Sequence, residues 1–220
     1  NTFSSSYTGS PSTFNNKIGR KTYPTVQLSD ADDKDINAGT SPLFSFSTLA
    51  SGATQQAGAD LPFTFSMWVK IDNSGASLDY LFGKDGNVHE YTGYYSHSTD
   101  RIFFWVGNND FSNALYVATV TDSTIKDKWV HVVFTYQGGT ATATTAYAIQ
   151  ALKIYINGEL RETTGATDGT YVSMEPEHSE PLYIGASWSD GTSEHTGDMA
   201  EIAIWSKELS SQEIKAIYNV

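Results

Sequence analysis

From Phe63 onward the chain alternates in a way that only a half-buried strand explains. Phe63, Phe65, Met67, Val69 and Ile71 fall on one side of an extended segment, while Thr64, Ser66, Trp68 and Lys70 fall on the other. Segments of similar character follow at short intervals, at residues 78–82, 91–96, 102–106, 115–120 and 129–136, each bounded by Gly, Asn, Asp or Ser. No amphipathic helical pattern fits between them. That excludes repeated strand-helix-strand units and predicts an all-β, antiparallel multi-stranded sandwich or barrel. Asn157-Gly158, between Ile156 and Leu160, adds a two-residue hairpin turn.

The chain closes on two more strands and one short C-terminal helix. Leu182-Tyr183-Ile184-Gly185-Ala186 is followed by a polar loop carrying Trp188, then by residues 197–205 and by Leu209-Ser210-Ser211-Gln212-Glu213-Ile214. Ser210 is placed to accept from the backbone of Glu213 while Glu213 reaches back, and Leu209 and Ile214 can staple across the cap. Three signals thus agree on one helix start.

At 220 residues the chain is long enough to bury a full core, and sandwiches of this length commonly form one domain. Composition agrees: 13% aromatic, 39% hydrophobic and only 17% charged is a strand-rich globular profile. A net charge of −12 without any basic run disfavours nucleic acid. No apolar stretch approaches the roughly 18 residues of a membrane span, so membrane insertion is not expected. Cys is absent, which removes disulfides, thiolate metal sites and cysteine nucleophiles together. Asn1 in place of Met points to a processed or excised chain.

Residues 1–24 are rich in Ser, Thr, Asn and Gly, with isolated aromatics at Phe3, Tyr7, Phe14 and Tyr23. They read as an N-terminal arm or linker, the aromatics favouring an arm draped over the sandwich, and residues 25–220 read as the single domain. Residues 25–28 and 43–46 are candidate early strands. The Gly-, Thr- and Ala-rich stretch 138–148 reads as a mobile hairpin loop or surface insertion.

Four motifs in order resemble the laminin-G-like jelly rolls of the concanavalin A-like lectin and glucanase superfamily. They are Phe65-Ser66-Met67-Trp68-Val69-Lys70, Trp129-Val130-His131-Val132, Leu152-Lys153-Ile154-Tyr155-Ile156-Asn157-Gly158, and the closing run from Leu182-Tyr183-Ile184-Gly185 through Gly197, Glu201, Ile202, Trp205, Leu209, Ser210, Glu213 and Ile214. The resemblance covers about residues 61–218 and implies a concanavalin A-like sandwich used outside the cell, at a cell surface or on a virion. Ala200 stands where such domains usually carry an acidic residue, which weakens the structural calcium site the resemblance implies.

Asp30, Asp32, Asp33, Asp35, Asn37 and Gly39 form the densest oxygen cluster, and Asp33-x-Asp35-x-Asn37 offers half of a calcium loop. The EF-hand second half is missing, since Ala38 and Phe44 occupy its Gly and Glu positions. The resemblance implies that Asp198 or Glu201 of the closing strand would join Asp30, Asp33 and Asp35 around a Ca2+ ion; a solvated acidic loop is an equal reading.

Catalytic constellations are weak. Glu175-Pro176-Glu177-His178-Ser179-Glu180-Pro181 has the spacing of a glycosidase carboxylate pair, but Pro176 and Pro181 exclude the regular strand that would aim both acids at one cleft. His89, His97, His131, His178 and His195 show no zinc spacing. The chain is therefore expected not to be an enzyme.

Sugar recognition needs an aromatic face bordered by polar groups. Two segments supply that mixture: Tyr91, Tyr94 and Tyr95 with Trp105 and Asn108, and Trp188 with Asp190 and His195. The expected function is a non-catalytic, lectin-like module for glycan or polysaccharide. The alternative is a structural or interaction domain of a virion decoration, fibre or adhesin, whose aromatics meet other protein chains; a glycosidase or polysaccharide lyase ranks below both.

Overall fold

The computed structural model describes residues 6–8, 12–18, 21–28, 35–74, 77–85, 89–108, 112–139, 144–176, 179–187 and 194–219. Two antiparallel sheets stack face to face. Sheet I orders β1 (Ser6–Thr8), β4 (Asp35–Asn37), β14 (Tyr183–Ile184), β6 (Leu78–Asp85), β7 (His89–Ser96), β8 (Arg101–Asn108), β9 (Asn113–Thr119) and β13 (Thr163–Asp168). Sheet II orders β12 (Glu159–Leu160), β11 (Leu152–Ile156), β10 (Trp129–Tyr136), β5 (Phe63–Ile71), β15 (Gly197–Trp205), β3 (Lys21–Leu28) and β2 (Ser12–Ile18).

The alternation of β5 becomes the wall of the core: Phe63, Phe65, Met67, Val69 and Ile71 have no exposed surface. Facing them from sheet I are Leu81, Phe82, Tyr91, Phe104, Val106, Leu115 and Val117, equally buried. Phe65 and Phe82 stack across the gap at 4.2 Å with their planes 2° apart, and Phe134 meets Phe82 edge-on at 5.0 Å. Gly93 makes room for this layer, because a Cβ there would lie 2.5 Å from the Phe82 ring. Fully burying one such ring is worth about 1.5–3 kcal/mol, so the aromatic layer is a main source of stability.

The Asn157-Gly158 turn forms as expected, with φ of 54° and 79° at its two central residues and Ile156 paired to Glu159. Helix α2 (Ser211–Tyr218) also forms with its full capping box: Ser210 Oγ accepts from Glu213 N at 3.3 Å, and Glu213 accepts from Ser210 N at 2.8 Å. Leu209 and Ile214 are buried against Val133 and Tyr155, so α2 covers part of the outer side of sheet II.

Two expectations change. A second helix, α1 (Thr145–Ala151), begins in the stretch 138–148 expected to be a loop or insertion and runs past its end, capped by Thr144, whose hydroxyl accepts from Tyr147 N. Seven residues are too few for a helix to stand alone in water; α1 holds because Ala148 and Ala151 are fully buried in the core. The N-terminal segment is strand rather than arm over its described residues: β2 and β3 form a hairpin, β3 pairs with β15, and β1 pairs with β4. The boundary expected after Pro24 falls inside β3.

Candidate functional site: an aromatic platform on the outer side of sheet I

Directly paired residues on neighbouring strands share a face, and pairing register therefore decides which aromatics meet. Tyr94 pairs with Phe103, and Trp105 with Tyr116, all on the side turned away from the core. Trp105 and Tyr116 stack at 3.9 Å with planes 15° apart; Tyr94 and Phe103 stack at 5.0 Å and 11°. Trp105 Nε1 donates to Tyr94 Oη at 3.2 Å and locks the two stacks together, while Tyr80 extends the row from β6 at 5.2 Å from Tyr94. Arg101 caps the far end, its guanidinium 5.5 Å from the Phe103 centroid and held by Ala118 O at 3.1 Å.

All of these side chains are half-buried. Each ring lies along the sheet on neighbours and keeps some surface for solvent, the arrangement an apolar sugar face stacks on. Burial pushes the Tyr94 phenol above its ordinary range despite the bond from Trp105, so it stays a neutral hydroxyl that donates as well as accepts.

Of the residues nominated from sequence, the fold brings together Tyr94 and Trp105 only. Tyr91 is three positions from Tyr94, hence on the opposite face; it is wholly buried and its Oη donates to Phe44 O at 2.7 Å. Asn108 is three positions from Trp105 and is likewise turned inward, 6% exposed. His195 is fully buried beside Asp79, with its Nδ1 3.9 Å from the carboxylate, and desolvation pushes its pKa down to about 4. None of these three offers a surface to a ligand. Trp188 and Asp190 lie outside the described residues. Phe103, Tyr116, Tyr80 and Arg101 were missed because period-2 patterning gives a face only within one strand; the cross-strand register that assembles the platform is set by the intervening turns.

The described part of the nominated calcium set does not converge. Asp35 is buried on β4 in sheet I, whereas Asp198 and Glu201 belong to β15 in sheet II. Asp198 points to Lys70 at 3.8 Å, and Glu201 sits in a bulge of β15 with its side chain exposed. Among the described residues no three His, Asp or Glu side chains could hold a metal ion, and Asp30 and Asp33 lie outside those residues. Nor do the described residues of the acidic run before β14 form a strand: Glu175 and Glu180 flank the undescribed residues 177–178 in irregular chain.

Comparison with known proteins fits this architecture. The family model described as the concanavalin A-like lectin/glucanases superfamily matches residues 46–215. No curated protein sequence matches significantly. Among solved structures, the botulinum neurotoxin serotype G binding domain superposes with a TM-score of 0.64 at 13% identity, over 98% of this chain and 46% of that one. The binding domain of Paraclostridial Mosquitocidal Protein 1 gives 0.67 at 13% identity, over 99% and 47%. The binding domain of botulinum neurotoxin DC, solved in complex with rat synaptotagmin II, gives 0.62 at 14%, over 99% and 46%. At such identities the likeness is one of fold, and the chain spans slightly less than half of each of these structures.

Proposed function

This chain belongs to the concanavalin A-like lectin/glucanase superfamily, and on that premise we propose that it is a non-catalytic glycan-binding module that stacks a sugar on Trp105 and Tyr116. The observation carrying this reading is the hydrogen-bonded double stack of Trp105 on Tyr116 and Tyr94 on Phe103, half-open on the outer side of sheet I. A sugar ring laid on Trp105 finds the Tyr94 hydroxyl at its edge. Such a module works outside the cell that makes it, at a cell surface or on a virion, where glycans are met.

A second reading is favoured by one comparison. A structural relative is solved in complex with a protein, rat synaptotagmin II, and the second reading gives the platform a protein partner or neighbours in a surface assembly in place of a sugar. A glycan array probed with the wild-type chain and with Trp105→Ala separates the two. The lectin reading expects glycan signal that falls about tenfold in the variant, the range of one lost aromatic stack. Absence of signal on every glycan would remove it and leave the protein-binding reading.

A further inference from the structure

The opposite side of the sandwich holds a cavity that the platform does not explain. It measures about 290 Å³ and is lined by Ser66, Trp68, His131, Glu201, Ile202, Ala203, Trp205 and Ile217, on the outer side of sheet II beside α2. Its shape comes from a bulge in β15. Ala200 pairs with Trp68 and Ala203 with Ser66, so Glu201 and Ile202 stand against Met67 alone and β15 carries one extra residue there. Glu201 takes the left-handed conformation, φ 49°, which costs a residue with a Cβ, and it is exposed.

The lining has a definite chemistry. Trp68 lies 5.2 Å from His131 and 5.7 Å from Tyr218, and Trp205 supplies another indole. His131 is only 3% exposed; its Nε2 meets Ser66 Oγ at 2.8 Å and its Nδ1 has no protein partner. Desolvation pushes His131 down to about 4, so at neutral pH it carries no charge. Glu201 is then the one formal charge in the lining, which contains no Lys or Arg. Indole faces and one carboxylate favour a positive guest and repel an anion.

We propose that this cavity binds an organic ammonium group, of the alkylated kind carried by choline or by a methylated lysine side chain, with Trp68 and Trp205 against its methyl groups and Glu201 as its counter-charge. The sources share that cation, and the test separates them. Choline, trimethyl-lysine and phosphatidylcholine vesicles are added separately to the isotopically labelled chain, and the indole N–H signals, assigned by substitution, are followed by NMR. Choline is expected to shift the Trp68 and Trp205 signals and leave Trp105 unmoved. Its neutral carbon isostere 3,3-dimethylbutanol should bind about tenfold more weakly. Glu201→Gln, at an exposed position that leaves the core intact, should weaken choline binding several-fold, and Trp68→Leu should abolish it. Stronger response to trimethyl-lysine or to the vesicles names the natural carrier. Equal binding of choline and its isostere, shifts by neutral sugars as large as those by choline, or no shift at Trp68 with any of the three overturns the proposal, and none of these results bears on the glycan platform.

Discussion

The two outer sides of one sandwich are covered differently. Sheet I leaves its outward aromatics half-open and fastens them to each other, Trp105 on Tyr116 and Tyr94 on Phe103. Sheet II covers part of its outward row with α2, burying Val133, Tyr155, Leu209 and Ile214 as a second apolar cluster, and leaves the bulge cavity open beside it. Outward position in a strand therefore does not mean exposure. The same alternation yields a half-open row of rings where no described element lies on it and a satellite core where a capped helix does.

The largest effect that would break this contrast is truncation under the helix. Ile214→Ala removes a fully buried side chain from the cluster against sheet II and should cost about 2–5 kcal/mol in urea unfolding. Tyr116→Ala on the open platform should cost clearly less, because its pocket is half solvent already. Equal losses would mean that both sides are covered alike.

How far the sequence foretold these two sides follows from the range of each signal. The Ser210 cap, the Asn157-Gly158 turn and the inward face of β5 depend on neighbours a few residues away, and all were legible. The family motifs marked β5, β10, β11 and β15 along the chain, but not their order within the sheets. The platform depends on the register among β7, β8 and β9, set by turns whose composition does not reveal their length of overhang, so Tyr94 and Trp105 were found but joined to Tyr91 and Asn108 on the wrong face. Helix α1 was hidden because its stability comes from Ala148 and Ala151 packing in the core rather than from its own pattern. The Asp60 hub was silent too: its carboxylate accepts from Tyr136 and Tyr171, both at 2.6 Å, and from Met174 N, partners remote in sequence.

Acid sensitivity sharpens the comparison next. His131 on the outer side of sheet II and His195 beside Asp79 are both held near 4, below the ordinary 6.5, by desolvation. The unfolded chain takes up these protons near pH 6.5 and the folded chain only near 4, so stability is full above 6.5, falls as pH drops through that window and has lost its whole share below 4. Each histidine contributes up to about 3 kcal/mol to that fall. The raised carboxyls of Asp60 and Asp198 act in the opposite sense, since their protonation favours the fold. Urea midpoints at pH 7 and 4.5 should show a smaller drop in His131→Gln than in the wild type. An unchanged drop would show that His131 is not held neutral, and would remove the uncharged wall on which the cation cavity relies.

The smallest effect tests what keeps α2 on its sheet. Ser210→Ala deletes the hydroxyl that accepts from Glu213 N while leaving the Leu209 and Ile214 contacts in place, and a lost N-cap of this kind costs about 1 kcal/mol. Glu213 is held well down, to about 2, chiefly by Lys207 and then by the Ser210 backbone and hydroxyl, so its charge at the helix start persists in mild acid. The loss in Ser210→Ala should therefore be nearly the same at pH 7 and at pH 5. Because α2 borders the cavity through Ile217, fraying its first turn should also leave the Trp105 indole signal in place while broadening those of Trp205 and Trp68. Broadening at Trp105 instead would mean that the two sides communicate through the core, and the division of labour between them would have to be abandoned.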